Sequence, residues 1–132
     1  MQEIENFNPT ELGPHSGFSH ATRAGQLVVL GGQIGCDRTG SILEPGDIAA
    51  QFTRAIRNVA AALAAAGSSP ERAIKLTYFV TDLASYRARL PEIGRAYREV
   101  FGKHFPATSL FEVKGLWEPD ALIEIECWSL AA

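Results

Sequence analysis

Between Asp47 and Gly67 the apolar residues Ile48, Phe52, Ile56, Val59 and Leu63 recur at spacings of three and four, which is one face of a helix. Asp47 is placed to accept orphan backbone N–H groups at its start, and Gly67 to close it in a left-handed cap. The alanines near its end favour helix too. A helix that is apolar on one side must be laid on something apolar, and the chain has β-rich segments on both sides of it. Leu27–Leu30 is a β-branched, apolar run that ends in Gly31-Gly32. Ala73–Val80 alternates and is rich in β-formers. After Pro106, two further strands are expected at 109–113 and 122–130, separated by a turn at 115–120.

A second helical pattern uses Leu83, Tyr86, Leu90, Ile93, Tyr97 and Phe101, with Asp82 as its cap and Gly102 at its end. Pro91 interrupts it. Proline is tolerated in a first turn, so the pattern predicts a short helix to Leu90 and a new one from Pro91 to Phe101. Residues 1–16, with Pro9, Gly13 and Pro14, read as an irregular lead-in. Residues 18–21 read as a short strand, paired through the turn at Gly25-Gln26 with Leu27–Leu30. A polar turn, Cys36-Asp37-Arg38-Thr39-Gly40, leads to a short segment at 41–43. With both helices amphipathic on one side, the expected architecture is α+β, a sheet with two main helices packed on one face. A chain of 132 residues cannot also cover the other, apolar face, so a neighbouring copy is expected to bury it. No linker, repeat or low-complexity stretch divides the chain, and it reads as a single domain, 1–132.

The charge balance limits the partners. Net charge is −3 and no basic stripe is present, so nucleic acid is not expected as a partner. Arg54, Arg57, Arg87, Arg89, Arg95 and Arg98 are interleaved with apolar residues and read as solvated helix faces. No apolar run approaches the roughly 20 residues that span a bilayer, which predicts no membrane association. The stretch Met1-Gln2-Glu3-Ile4-Glu5 carries acids where a secretory signal would carry bases, and two cysteines make no disulfide framework. A cytoplasmic location is the expectation. There is no Walker loop, no dinucleotide fingerprint and no Gly-x-Ser-x-Gly elbow, and His15, His20 and His104 lack partners at metal-ligand spacing. No cofactor and no metal are expected.

Other residues leave alternatives open. Gly31-Gly32-Gln33 opens onto no predicted helix, so its glycines serve a close approach to a ligand or strand, or a tight bend. His20 is an interface or surface histidine, or something more. Cys36 precedes a turn and is a candidate for exposure, whereas Cys127 alternates within a strand and reads as a small core residue. Trp117, in a turn, is expected at an interface, a pocket rim or in the core. In Ile123-Glu124-Ile125-Glu126-Cys127-Trp128 both carboxylates fall on one face of the strand. That face is either solvated or set against another subunit, where a desolvated carboxylate could do acid–base work.

Taken together, several segments resemble the RidA (YjgF-like) family. They are Gly17-Phe18-Ser19-His20-Ala21, Leu30-Gly31-Gly32-Gln33-Ile34-Gly35, the Asp47-to-Gly67 helix with Asn58-Val59, Lys75 to Leu83, Phe105-Pro106-Ala107-Thr108-Ser109 and Ile123-Glu124-Ile125-Glu126. The likeness runs from about Gly13 to Trp128. It implies a chorismate-mutase-like α+β fold with a mixed sheet, a homotrimer with clefts between subunits, and, in active members, hydrolysis of imines and enamines to 2-keto acids and ammonia. Position by position it implies ligand contacts from Phe18, Gly31, Gly32, Gln33, Thr108, Ser109 and Leu110, with Glu124 the catalytic residue if the chain is an enzyme.

Three positions depart from the family pattern. Thr108 stands where the family has an arginine, and Gly31 where active members often have serine; Gly94 corresponds to an asparagine. A guanidinium offers two parallel, charge-assisted donors to a carboxylate, and threonine offers one neutral hydroxyl. Three readings follow. The favoured one is a small-metabolite binder without the usual 2-imino-acid deaminase activity. The alternative is an imine or enamine hydrolase with a different substrate class or an arginine from elsewhere, Arg23 being the first candidate. The third, an endoribonuclease-type RNA-directed protein, sits poorly with the acidic balance.

Overall fold

The computed structural model describes residues 3–132. Its elements are β1 (Ile4–Phe7), β2 (Ala21–Ala24), β3 (Leu27–Leu30), β4 (Gln33–Ile34), α1 (Ile48–Ala65), a 3-10 turn (Pro70–Arg72), β5 (Ala73–Val80), α2 (Leu83–Ala88), α3 (Leu90–Phe101), β6 (Ala107–Glu112) and β7 (Ile123–Leu130). The strands form one mixed sheet in the order β1-β2-β3-β7-β5-β6, with β4 also pairing to β7. Only β5 and β6 are parallel, and α2 and α3 between them supply the crossover that a parallel pair needs.

The helix starts and stops follow the sequence. Asp47 accepts from the Ala50 N–H, and Asp82 from that of Ser85. Gly67 has φ +81°, the left-handed conformation that ends α1 without a Cβ penalty. At Pro91 the pattern divides into α2 and α3, proline sitting in the first turn of α3 where its missing N–H removes no helical bond. One boundary differs: the chain is still irregular at Phe18 and enters β2 only at Ala21. The His20 backbone N–H is taken by the side chain of Asn8, 2.9 Å away, before the β2–β3 ladder begins. The lead-in also differs, since Ile4–Phe7 pairs with β2 as an edge strand. The segment at 41–43 contributes a single bridge, Cys36 to Ile42.

The core lies between α1 and the sheet. Phe52, Ile56, Val59 and Leu63 from the helix meet Val28, Leu30, Leu76, Val80, Ile123 and Ile125 from the strands, all essentially sealed from solvent. Gln51 is buried among them without loss, because all its hydrogen-bonding capacity toward the backbone is used. Its amide nitrogen donates to the carbonyls of Glu44 (3.0 Å) and Asp120 (3.1 Å), and its oxygen accepts from the Leu122 N–H (2.8 Å). The loop that leads into α1 and the loop that leads into β7 are thereby tied to one side chain.

No helix covers the sheet's other face. In register, Val29 lies opposite Trp128, Phe79 opposite both Glu124 and Phe111, and Thr77 opposite both Glu126 and Ser109. Trp128, Phe111 and Leu130 are 47%, 53% and 36% exposed there, the uncovered apolar surface that the sequence predicts. Among the described residues, no helix is long and apolar enough to cross a membrane.

Candidate functional site

Alternation in β7 sends Ile123, Ile125 and Cys127 into the core and Glu124 and Glu126 to the open face. Glu124 lines a cleft of about 520 Å³ with Phe18, Gly31, Gly32, Gln33 and Trp117. Its side chain lies directly over Gly32, where an added Cβ would sit 2.3 Å from the Glu124 carboxyl carbon. Gly32 is therefore the floor on which the carboxylate rests. Burial first, and then repulsion from Glu126, pushes the Glu124 carboxyl above the ordinary carboxylate range. A carboxyl so placed holds its proton more tightly than an exposed one, which suits a group that must give as well as take a proton.

Gly32→Ala tests that placement. Gly32 has ordinary backbone geometry, so alanine there costs little in stability and restricts the unfolded chain. The methyl group must instead displace the Glu124 side chain. Any imine hydrolysis that depends on this carboxyl should fall at least about tenfold, while the thermal unfolding midpoint stays close to that of the parent.

The rest of the cleft is held by a polar network. His20 is buried, its Nε2 lies 2.7 Å from the Gly13 carbonyl and its Nδ1 3.1 Å from Nε2 of Gln33. A carbonyl can only accept, so Nε2 carries the proton and Nδ1 accepts from the Gln33 amide. His20 thus fixes the loop before β2 against the Gly31–Gln33 bend. Phe18 stands edge-on to the His20 ring at 5.4 Å and is 54% exposed at the mouth. Gly31 packs so closely that a Cβ would lie 2.9 Å from the Ser19 carbonyl oxygen, leaving no room for a serine without a backbone shift. Trp117 is 99% exposed on the rim, which excludes the core placement.

The cysteines offer little chemistry. Cys36 is half-buried, and desolvation holds its thiol above the ordinary range. Cys127 is in the core as expected, pushed up to about 12 by burial. Among the described residues, no three His, Cys, Asp or Glu side chains gather as a metal site.

The expected ligand residues at 108–110 lie elsewhere. Thr108 and Leu110 pair with Leu76 and Tyr78 and so face the helices, whereas Ser109 faces the open side and accepts from Lys75 Nζ at 2.7 Å. Thr108 and Glu124 thus lie on opposite faces of the sheet with β5 between their strands. Thr108 borders a second cavity, of about 400 Å³, between β5, β6 and α3. Its hydroxyl donates to the Pro106 carbonyl at 2.9 Å, so its one proton is already engaged.

Arg23 does not serve this cavity. It donates to the carbonyls of Gly25 (2.9 Å) and Ala66 (3.3 Å), capping the end of α1. Arg98 does line it, together with Gly94, Tyr97 and Phe105. The sequence reading placed Arg98 on a solvated helix face. It is exposed, yet Gly94 one turn earlier leaves a gap into which its guanidinium leans: a Cβ at Gly94 would lie 3.2 Å from Arg98 Nη1. The signal was an i, i+4 glycine–arginine pair.

Comparison with known proteins is consistent along nearly the whole chain. The family model described as Endoribonuclease L-PSP matches residues 9–131. RutC family protein UK114 of Drosophila melanogaster is 38% identical over 89% of this chain and 81% of its own length. The 3-aminoacrylate deaminase RutC of Acinetobacter baylyi is 33% identical over 89% of this chain and 86% of its own. The crystal structure of the YjgF gene product from E. coli superimposes with a TM-score of 0.81 at 29% identity, covering 97% of this chain and 99% of that one. With the fold, the motifs and the relatives in agreement, the chain belongs to the RidA (YjgF-like) family.

Proposed function

We propose that this chain binds a small metabolite in clefts between the subunits of a homotrimer and hydrolyses an imine or enamine there, with Glu124 as the acid–base residue. The observation that carries the reading is the Glu124 carboxyl laid over Gly32 in a cleft, its proton affinity raised. Glu124 and Thr108 face opposite sides of one protomer, which supports a site completed by a second copy docked on the open sheet face. The ligand-binding group is then Phe18, Gly31, Gly32 and Gln33 from one subunit, and the surface around Thr108, Ser109 and Leu110 from the next. The deaminase name of the Acinetobacter baylyi relative supports the reaction class.

The chemistry balances without a cofactor. The Glu124 carboxylate takes a proton from water as the water oxygen bonds to the imine carbon, and the C=N pair moves onto nitrogen. The same carboxyl returns that proton to the nitrogen, giving a carbinolamine; it then carries the hydroxyl proton to the amine as the C=O bond forms and the C–N bond breaks, and ammonia and a carbonyl product leave. An enamine is first protonated on carbon. Arg98 at this cavity supports admitting carboxylate substrates, against which Thr108 alone spoke. What remains is weak binding of the smallest 2-imino acids, since Thr108 has no free donor to give. The cleft lined by Glu118 and Glu124 is unsuited to phosphates and offers an RNA-directed reading no support.

Imines generated in situ from alanine, leucine and phenylalanine provide the test, with keto acid and ammonia as readouts. Release faster than the uncatalysed rate with at least one supports hydrolysis; no acceleration with any of them overturns it. Thr108→Arg should raise kcat/KM for the alanine-derived imine about tenfold or more, by adding a charge-assisted pair to its carboxylate.

A further inference from the structure

Among the residues that line the cavity beside Thr108, Arg98 alone is charged. The remainder are aromatic or aliphatic apart from Gly94 and Thr108. Arg54, Arg57 and Arg89 each pair with a carboxylate, but among the described residues Arg98 has no ion pair or side-chain hydrogen bond. Tyr78, only 6% exposed, also lines the cavity, and its hydroxyl has no protein partner although it is not sealed from solvent. An unpaired guanidinium and a free neutral donor thus border an aromatic slot in which nothing opposes an anion. The volume of about 400 Å³ falls in the range of small-molecule sites.

We infer that Arg98, leaning over the Cβ-less Gly94, is the anion-binding residue of this cavity, and that its ligand is an organic carboxylate with an apolar, ring-sized body. This rests on the reading of the cavity as one wall of the intersubunit site, and it names the substrate class for that site. Glycine at 94 makes the space, threonine at 108 leaves a small neutral residue, and the arginine reaches in from α3 instead of β6. A cation at the cavity's edge on the helix leaves the aromatic slot free for an apolar body.

The test uses phenylpyruvate, pyruvate and the neutral 3-phenylpropionamide as probes, with binding measured by calorimetry and by amide shifts on the full chain. Phenylpyruvate should bind best, with shifts at Gly94 and Arg98. Arg98→Gln should weaken phenylpyruvate about tenfold or more and leave 3-phenylpropionamide within about twofold. Arg98 is exposed, so this variant keeps the fold. Gly94→Asn, which crowds Nη1, should also weaken phenylpyruvate. Equal phenylpyruvate affinity in Arg98→Gln and the parent overturns the inference, and so does tighter binding of pyruvate or the amide. Arg98-dependent binding without any imine hydrolysis would overturn the hydrolase reading alone. Hydrolysis that ignores Arg98→Gln would overturn only this one.

Discussion

Glu124→Gln should lower imine or enamine hydrolysis by about 10²–10⁴-fold, the contribution typical of a positioned acid–base group, and should leave the protein folded. Glutamine keeps the shape that lies over Gly32 and loses only the titrating proton. The effect on stability has a definite sign. Burial, and then Glu126, hold the Glu124 carboxyl above its ordinary range, so the folded protein binds more protons than the unfolded chain in the window between the two values. Any contribution of Glu124 to stability is therefore present below its unfolded pKa and lost as pH rises through the raised folded value. Glutamine has no such dependence, so the variant should be at least as stable as the parent at neutral pH. It should also show a flatter stability profile across that window. Thermal unfolding at a series of pH values, beside turnover at saturating substrate, separates the two effects. A variant that still hydrolyses at the parent's rate would remove Glu124 from the chemistry, and one that is inactive but less stable would point to a structural role.

The sequence carried the elements because the fold's local rules are simple here. Strict alternation from Ile123 to Cys127 makes the two-faced strand, Asp47 and Asp82 announce the helices they cap, and Pro91 divides the second one. The placement of Glu124 was also legible, since a carboxylate two residues from its like on an interior strand has only one face to occupy. What escaped was set by distant contacts. Ile4–Phe7 becomes a strand because β2 presents an open edge, not because its own residues demand it. Arg23 is four residues from β3 in sequence, but its guanidinium is drawn to the carbonyls that end α1. Arg98 is a different case: it is exposed, as its charge suggests, and the missing side chain at Gly94 also lets it border a cavity. Adjacent residues in β6 illustrate the same limit, since Thr108 and Ser109 necessarily face opposite sides. A motif read as one string is thereby split between two surfaces.

Gln51→Ala should be the most destabilising single change among the polar residues, costing about 3 kcal/mol, and should lower the unfolding midpoint by about 10 °C. The side chain is wholly buried, and alanine would leave a void there and remove the partners of the Glu44 and Asp120 carbonyls and of the Leu122 N–H. Those three groups lie in two loops far apart in sequence, so the loss loosens both the entry to α1 and the entry to β7. Glu124 is only two residues beyond Leu122, yet it is already inside the ladder, opposite Phe79 on β5 and Ile34 on β4. The strand therefore keeps its register when its lead-in frays. At temperatures where the variant is folded, turnover should stay within a few-fold of the parent and the pH profile should be unchanged, while calorimetry records the lower midpoint. A midpoint within about 2 °C of the parent would mean that water satisfies the three backbone groups as well as Gln51 does. A shifted pH profile would mean that the tie at Leu122 sets the surroundings of Glu124, and that the ladder does not.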